Sequence, residues 1–189
     1  MNLVARISTG LHAAVLFARG NSDALHYVET DMRGAARSFW AVPIGLPAIV
    51  ALRLMTWMES GLPAHAGHEI SLDLMGYVVG WLAFAWLSFH LVPVLGCAPR
   101  WPRFIAAWNW CNVIENVLLV VGGIPGLLGA PPMLDEAAQI FAVGWALWVE
   151  WFAIRESLGT NGMAAALLVV LDQLIGLLLA AASMALLQA

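Results

Sequence analysis

The sequence predicts an all-α fold, a polytopic transmembrane bundle of five helices preceded by short amphipathic cytoplasmic helices. Three observations predict it. Of 189 residues, 62% are hydrophobic and only 11% charged, against about a quarter charged in an average soluble domain. Mean hydropathy is +0.84. The apolar residues gather into five runs, at 38–58, 72–95, 104–124, 137–154 and 163–187, each near the roughly 20 residues that cross hydrocarbon as a helix. The short connections leave no room for a soluble domain. The chain therefore divides into a cytoplasmic or interfacial lead, 1–35, and a membrane domain, 36–189.

The lead comes first. Leu3, Ile7, Leu11, Ala14, Val15 and Ala18 recur at helical spacing, which predicts an amphipathic helix over 2–19. The segment "RGNSD" stops it, and Ser22 is placed to cap a second helix through about Met32. Both are expected on the cytoplasmic leaflet, with Arg6, Arg19, Arg33 and Arg37 near anionic head groups. The lead shows neither an uninterrupted apolar core nor a cleavage site, so the first span is expected to serve as an uncleaved anchor.

Orientation follows from arginine, since there is no lysine. Arg6, Arg19, Arg33 and Arg37 precede span one, Arg100 and Arg103 lie between spans two and three, and Arg155 follows span four. The alternate loops carry Glu59, His65, His68 and Glu69, then Asp135 and Glu136. The positive-inside rule then puts the N-terminus in the cytoplasm and the C-terminus outside, in the cell (inner) membrane. Arg53 alone lies within a span, near its outer end, where it can snorkel to water.

Within span one, Pro43 and Pro47 predict a kink near the cytoplasmic end. The segment "GGIPG" at 122–126 is expected to end or break span three, and "GTNG" at 159–162 to turn span four back onto span five. Tryptophans 40, 57, 101, 148 and 151 fall near span ends, where interfacial anchors belong. Cys97 and Cys111 have no repeated spacing and read as apolar packing residues rather than metal ligands. The "HAGHE" segment lacks the helical context of a zinc site and reads as an exposed loop.

The candidate site comes from polar residues inside the apolar runs. At 100° per residue, Asn109, Asn112, Glu115 and Asn116 fall within about 120° of one another, opposite Trp110, Ile114, Val117, Leu118 and Val121. On span four, Gln139, Val143, Ala146 and Glu150 share a face. On span five, Ala165, Val169, Asp172, Gly176 and Ser183 share one, with Gln173 at its edge. On span two, Gly76, Ala83, Leu87 and His90 align, and Gly76–Gly80 has the spacing of a close helix contact. The polar stripes are thus expected to face the bundle interior. Comparable depth pairs Glu115 with Asp172 in an intramembrane cluster with Asn109, Asn112, Asn116 and Gln173, and pairs His90 with Glu150 nearer the cytoplasm. Ionisable groups at such depth are costly, and so are functional-site candidates. Desolvation and mutual repulsion predict that at least one of Glu115 and Asp172 is protonated at neutral pH.

The segments "RSFWAVPIGLPAIV", "AAWNWCNVIENVLL" and "WFAIRESLGTNGMAAALLVVLD" resemble the landmarks of a family of small, uncharacterised bacterial five-span integral membrane proteins. In layout these are similar to the Yip family of membrane-trafficking proteins. The resemblance covers nearly the whole chain and implies the five-span fold and the short cytoplasmic lead. It carries over no activity and no site residue. One functional reading is a structural or interaction protein that organises lipids or partner membrane proteins. The alternative is a small carrier or proton-coupled permease using Glu115 and Asp172. An enzyme is not expected, since no nucleophile–base pair or metal motif has the needed spacing. No cofactor or nucleic-acid partner is expected either. The expected partners are the lipid bilayer and a second copy of the chain or partner membrane proteins.

Overall fold

A computed structural model describes residues 3–188. The described chain is helical throughout, without a strand. The elements are α1 (Leu3–Ala18), a 3-10 helix (Ser22–Tyr27), α2 (Met32–Ser38), α3 (Ala41–Ser60), α4 (Ala66–Val94), a 3-10 turn (Ala98–Arg100), α5 (Trp101–Leu127), α6 (Pro132–Leu158) and α7 (Gly162–Gln188). Five helices, the first made of α2 and α3 together, are long and apolar enough to cross a membrane. The short connections reverse the chain each time. One end of the bundle, here the near end, holds the start of α5 and the end of α6; the far end holds the end of α3 and the start of α4.

The helices outrun the apolar segments because a helix stops only where its backbone groups find other partners. α6 continues through Arg155 and Glu156 and ends at Gly159, whose φ of 59° is left-handed and suits a glycine C-cap. Arginines from the start of α5 and the turn before it cover its last carbonyls. Arg100 Nη1 donates to the Leu158 oxygen at 2.6 Å, and Arg103 donates twice to the Ser157 oxygen at 2.8 and 2.6 Å. Positive side chains there also complement the helix dipole. Asn161 caps α7 by accepting from the Ala164 N–H at 2.9 Å.

The "GGIPG" segment does not end span three. α5 runs through Gly122, Gly123 and Pro125 to Leu127, and the turn falls at Gly129 with φ of 73°. Proline removes one N–H, whereas leaving the helix would strand every following carbonyl and amide in an apolar setting. Gly122 is used instead for close approach, since a Cβ there would press on Ala142 of α6. α4 likewise starts earlier than its apolar run, so the "HAGHE" segment is not a loop: His65 flanks α4, and His68 and Glu69 lie in its first turns.

The lead is the largest departure. α1 does not lie apart on a surface: Ala13, Ala14 and Phe17 are fully buried in the same core as α4, α5 and α6. Gly10 sits directly on the Trp110 indole of α5, Phe17 meets Phe152 at 6.2 Å, and Trp145 Nε1 donates to the Ala18 oxygen at 3.0 Å. Trp110 is therefore buried under α1 and does not face outward as its position opposite the polar stripe suggested. The second lead helix is a 3-10 helix that stops at Tyr27, short of Met32. Asn21, not Ser22, caps the 3-10 helix, and Asp31 caps α2 by accepting from the Gly34 N–H at 2.7 Å. The boundary at 35 thus falls inside α2.

α5 is the hub, packing against α1, α2, α3 and α6, while α4 packs mainly on α7. The centre is aromatic. Trp108, fully buried, stacks on Phe84 at 4.4 Å and meets Trp81 at 5.2 Å. Between helices surrounded by lipid tails no hydrophobic drive remains, so such close packing and the buried hydrogen bonds hold the bundle together.

Candidate functional site

Between α3, α4, α5 and α7 the structure leaves a cavity of about 460 Å³. Its wall carries Asn112 and Asn116 from α5, Asp172 and Gln173 from α7, and Arg53 and Asp73 from α3 and α4. Tyr77, Trp81 and Trp108 add aromatic surface. Gly76 and Gly176 also line it, with nothing near the place where a Cβ would sit. Both glycines therefore open the cavity; for Gly76 this is contrary to the close contact its spacing to Gly80 suggested, whereas a Cβ on Gly80 would meet Leu179 of α7 at 3.4 Å.

Asp172 stands about 15 Å along α7 from Gly162, at the inner part of the cavity. Thr56 and Ser183 line the part toward the far end. Next to Asp172 lies a buried acid cluster. The carboxyl groups of Asp172 and Glu150 are within hydrogen-bonding reach of each other. Such a bond needs a proton on one of them, because an ionised carboxylate only accepts. Glu150, 1% exposed, also accepts from Trp108 Nε1 at 3.3 Å and from Gln173 Nε2 at 3.5 Å. Glu115 lies close enough to feel both acids, and its Oε1 is buried without a hydrogen-bond partner. The buried Cys111 thiol lies near enough to Glu115 and Glu150 to feel their charge.

The predicted pairs are redistributed. Asp172 is near Glu115, yet the carboxyl it meets directly is Glu150. Glu150 and His90 do not pair: His90 is exposed on α4, with the Trp86 and Phe89 rings at 5.0 and 5.5 Å. Two physical causes account for this. α6 ends at Leu158, not 154, which sinks Glu150 to about 12 Å from the helix end. The buried face of α4 is Trp81, Phe84, Ala85, Ser88 and Val92, and His90 is two residues, about 200°, from Ser88. Reading small residues as the interior missed that α4 buries its large aromatics.

The asparagine stripe also divides. Asn112 and Asn116 reach the cavity, with Asn112 Nδ2 donating to the Trp108 oxygen at 3.1 Å. Asn109 instead joins α5 to α2, donating to Ser38 Oγ at 2.7 Å, while its own oxygen has no partner. On α6, Ala146 and Glu150 are buried, but Gln139 and Val143 are exposed.

The sequence reading missed the far end of the cavity. Arg53 is paired as well as partly exposed: it holds Asp73 with two guanidinium nitrogens, Nε and Nη2, the latter at 2.6 Å, and approaches Glu69 at 3.9 Å. A forked guanidinium–carboxylate contact is the geometry arginine favours. The available signal was equal depth. Arg53 is about 10 Å from the end of α3, and Asp73 about 10 Å from the start of α4 across the same short turn. Among the described residues no group of three His, Cys, Asp or Glu side chains is placed to hold a metal ion.

No family model matches the chain, and no curated protein or solved structure matches it.

Proposed function

We propose that this chain is an integral protein of a bacterial inner membrane that binds a small polar solute in the α3–α4–α5–α7 cavity and carries it across, coupled to protons on the acid cluster. The observation that carries this reading is the cavity itself, which joins Asp172 at mid-depth to polar groups toward the far end. A chain that needed its acids only to fix helix register would close amides and carboxyls into a dry contact, since unfilled space forfeits packing. Pockets of about 300–1,000 Å³ with a few convergent polar groups are the usual form of small-molecule sites. α3, which forms one wall, contains Pro47, where the missing N–H weakens the helix and allows it to bend. The arginine distribution supports a cytoplasmic near end.

The reading of a structural or interaction protein retains one supporting observation. Ile140, Phe141 and Val143 stand exposed on α6 beside Gly144, which has open space around it, a surface suited to a second copy or partner membrane helix. Both readings accommodate an oligomer, which would also enlarge a bundle that is small for alternating access.

Thiol labelling separates them. In a Cys97→Ser/Cys111→Ala background, Gly176→Cys and Ser183→Cys should react with a membrane-impermeant thiol reagent, while Leu178→Cys, exposed on the outer side of α7, should not. If Gly176→Cys is as inert as Leu178→Cys, water does not reach the cavity and the carrier reading gives way to the structural one.

A further inference from the structure

The charges around the cavity do not balance evenly. At the far end the Arg53 guanidinium is already matched by Asp73, with Glu69 close behind. Of the remaining lining residues, Asp172 of α7 and Tyr77 of α4 are the titratable ones, and α5 contributes only Asn112 and Asn116 there. Behind Asp172 stand Glu150 from α6 and Glu115 and Cys111 from α5. No cationic side chain forms an ion pair with any of these acids among the described residues. The inner wall is thus acidic and uncompensated, and a buried Glu115 oxygen beside it has no hydrogen-bond partner.

The same wall is aromatic. Tyr77, Trp81 and Trp108 line the cavity together with Asp172, and ring faces attract cations within about 6 Å of their centroids. An anionic solute would meet the carboxyls. A bare metal ion lacks a ligand set, and a space of about 460 Å³ is molecule-sized.

Resting on the reading of this cavity as a solute site, we propose that its solute is a small organic cation, an amine or quaternary ammonium, which binds between Asp172 and the aromatic wall in exchange for the proton that Asp172 shares with Glu150. The exchange balances. The O–H bond of the shared acid breaks, the proton leaves to water, and one positive charge enters the cavity as one departs. The net charge of the acid pair is the same before and after, so the exchange adds no further unpaired ion to the membrane. Glu150, held by Trp108 and Gln173, is a positioning residue for this step.

The test uses the full chain in lipid nanodiscs and isothermal titration calorimetry with benzyltrimethylammonium, benzenesulfonate and benzyl alcohol. Two buffers of different ionisation heat report the protons released. Benzyltrimethylammonium should bind saturably and release about one proton per cation, as a single shared proton requires. Benzenesulfonate and benzyl alcohol should bind at least about tenfold more weakly, as expected when a charge partner is missing or of the wrong sign. Asp172→Asn should abolish the proton release, Asp172→Glu should retain it, and Gly176→Leu should block binding by filling space that is open in the native chain. If the anion or the alcohol binds more tightly and Gly176→Leu blocks it, the cation assignment is overturned while the solute cavity stands. If none of the three probes binds, both fail. Cation binding that survives both Asp172→Asn and Gly176→Leu lies elsewhere and also overturns the proposal.

Discussion

Arg53 and Asp73 illustrate how much a single residue's environment depends on its partner. Alone, each is a charge that an apolar helix should exclude, and together they form a two-point contact with side chains 31% and 21% exposed. Removing one partner leaves the other charge without its match, whereas replacing both restores an apolar contact. Arg53→Met should therefore cost about 2 kcal/mol, a value discounted for partial exposure from the 3–5 kcal/mol of fully buried pairs. The double variant Arg53→Met/Asp73→Leu should recover most of it. Unfolding in mixed detergent measures both, and a double variant less stable than either single one would show that the pair supplies net stability. Asn109 differs in kind: it spends its amide on Ser38 of α2, tying the first span to α5 rather than serving the cavity.

At the scale of elements, α1 behaves as a clasp on α5 and α6. Its small residues, Gly10, Ala13, Ala14 and Ala18, form the buried stripe, with Phe17 as the single large insert. The spacing of that stripe was legible as amphipathic periodicity, but periodicity marks only an apolar face and leaves open whether lipid or protein covers it. The Trp110 ring lies where a Cβ on Gly10 would go, so Gly10→Leu should lift α1 from α5. Overpacking of this kind costs about 1–3 kcal/mol. Limited proteolysis should then cut the lead faster, at residues 19–31, while the five long helices remain protected. Unchanged cleavage would mean that α1 is held by its other contacts, chiefly those to α6 and the 3-10 helix.

For the whole molecule, five helices are long and apolar enough to cross a membrane, and five crossings would put its two ends on opposite sides. A compartment-sensitive reporter fused ahead of Met1 should be active in the cytoplasm, and one fused behind Ala189 outside it. Both reporters in one compartment would contradict five crossings. The arginines that predict this orientation also act in the fold: Arg100 and Arg103 close the end of α6, so neutralising them should loosen the α5–α6 junction as well as weaken the charge bias that sets topology.

The sequence by itself determined the helical class, the five apolar segments and the turn at Gly159, because these follow from local composition, from the length needed to cross hydrocarbon and from backbone chemistry. It also placed Glu150 and Asp172 on buried faces, since a helix carries its neighbours at 100° steps whatever surrounds it. Tertiary structure alone decided which acid meets which, that Glu150 turns to Asp172 and away from His90, that Gly76 and Gly176 frame a cavity, and that α1 covers Trp110. Those outcomes depend on the rotation and depth of one helix against another. Rotation and depth are set by how Trp108, Phe84 and Trp81 pack at the centre, and side-chain packing among helices distant in sequence leaves no periodic signature in any one of them.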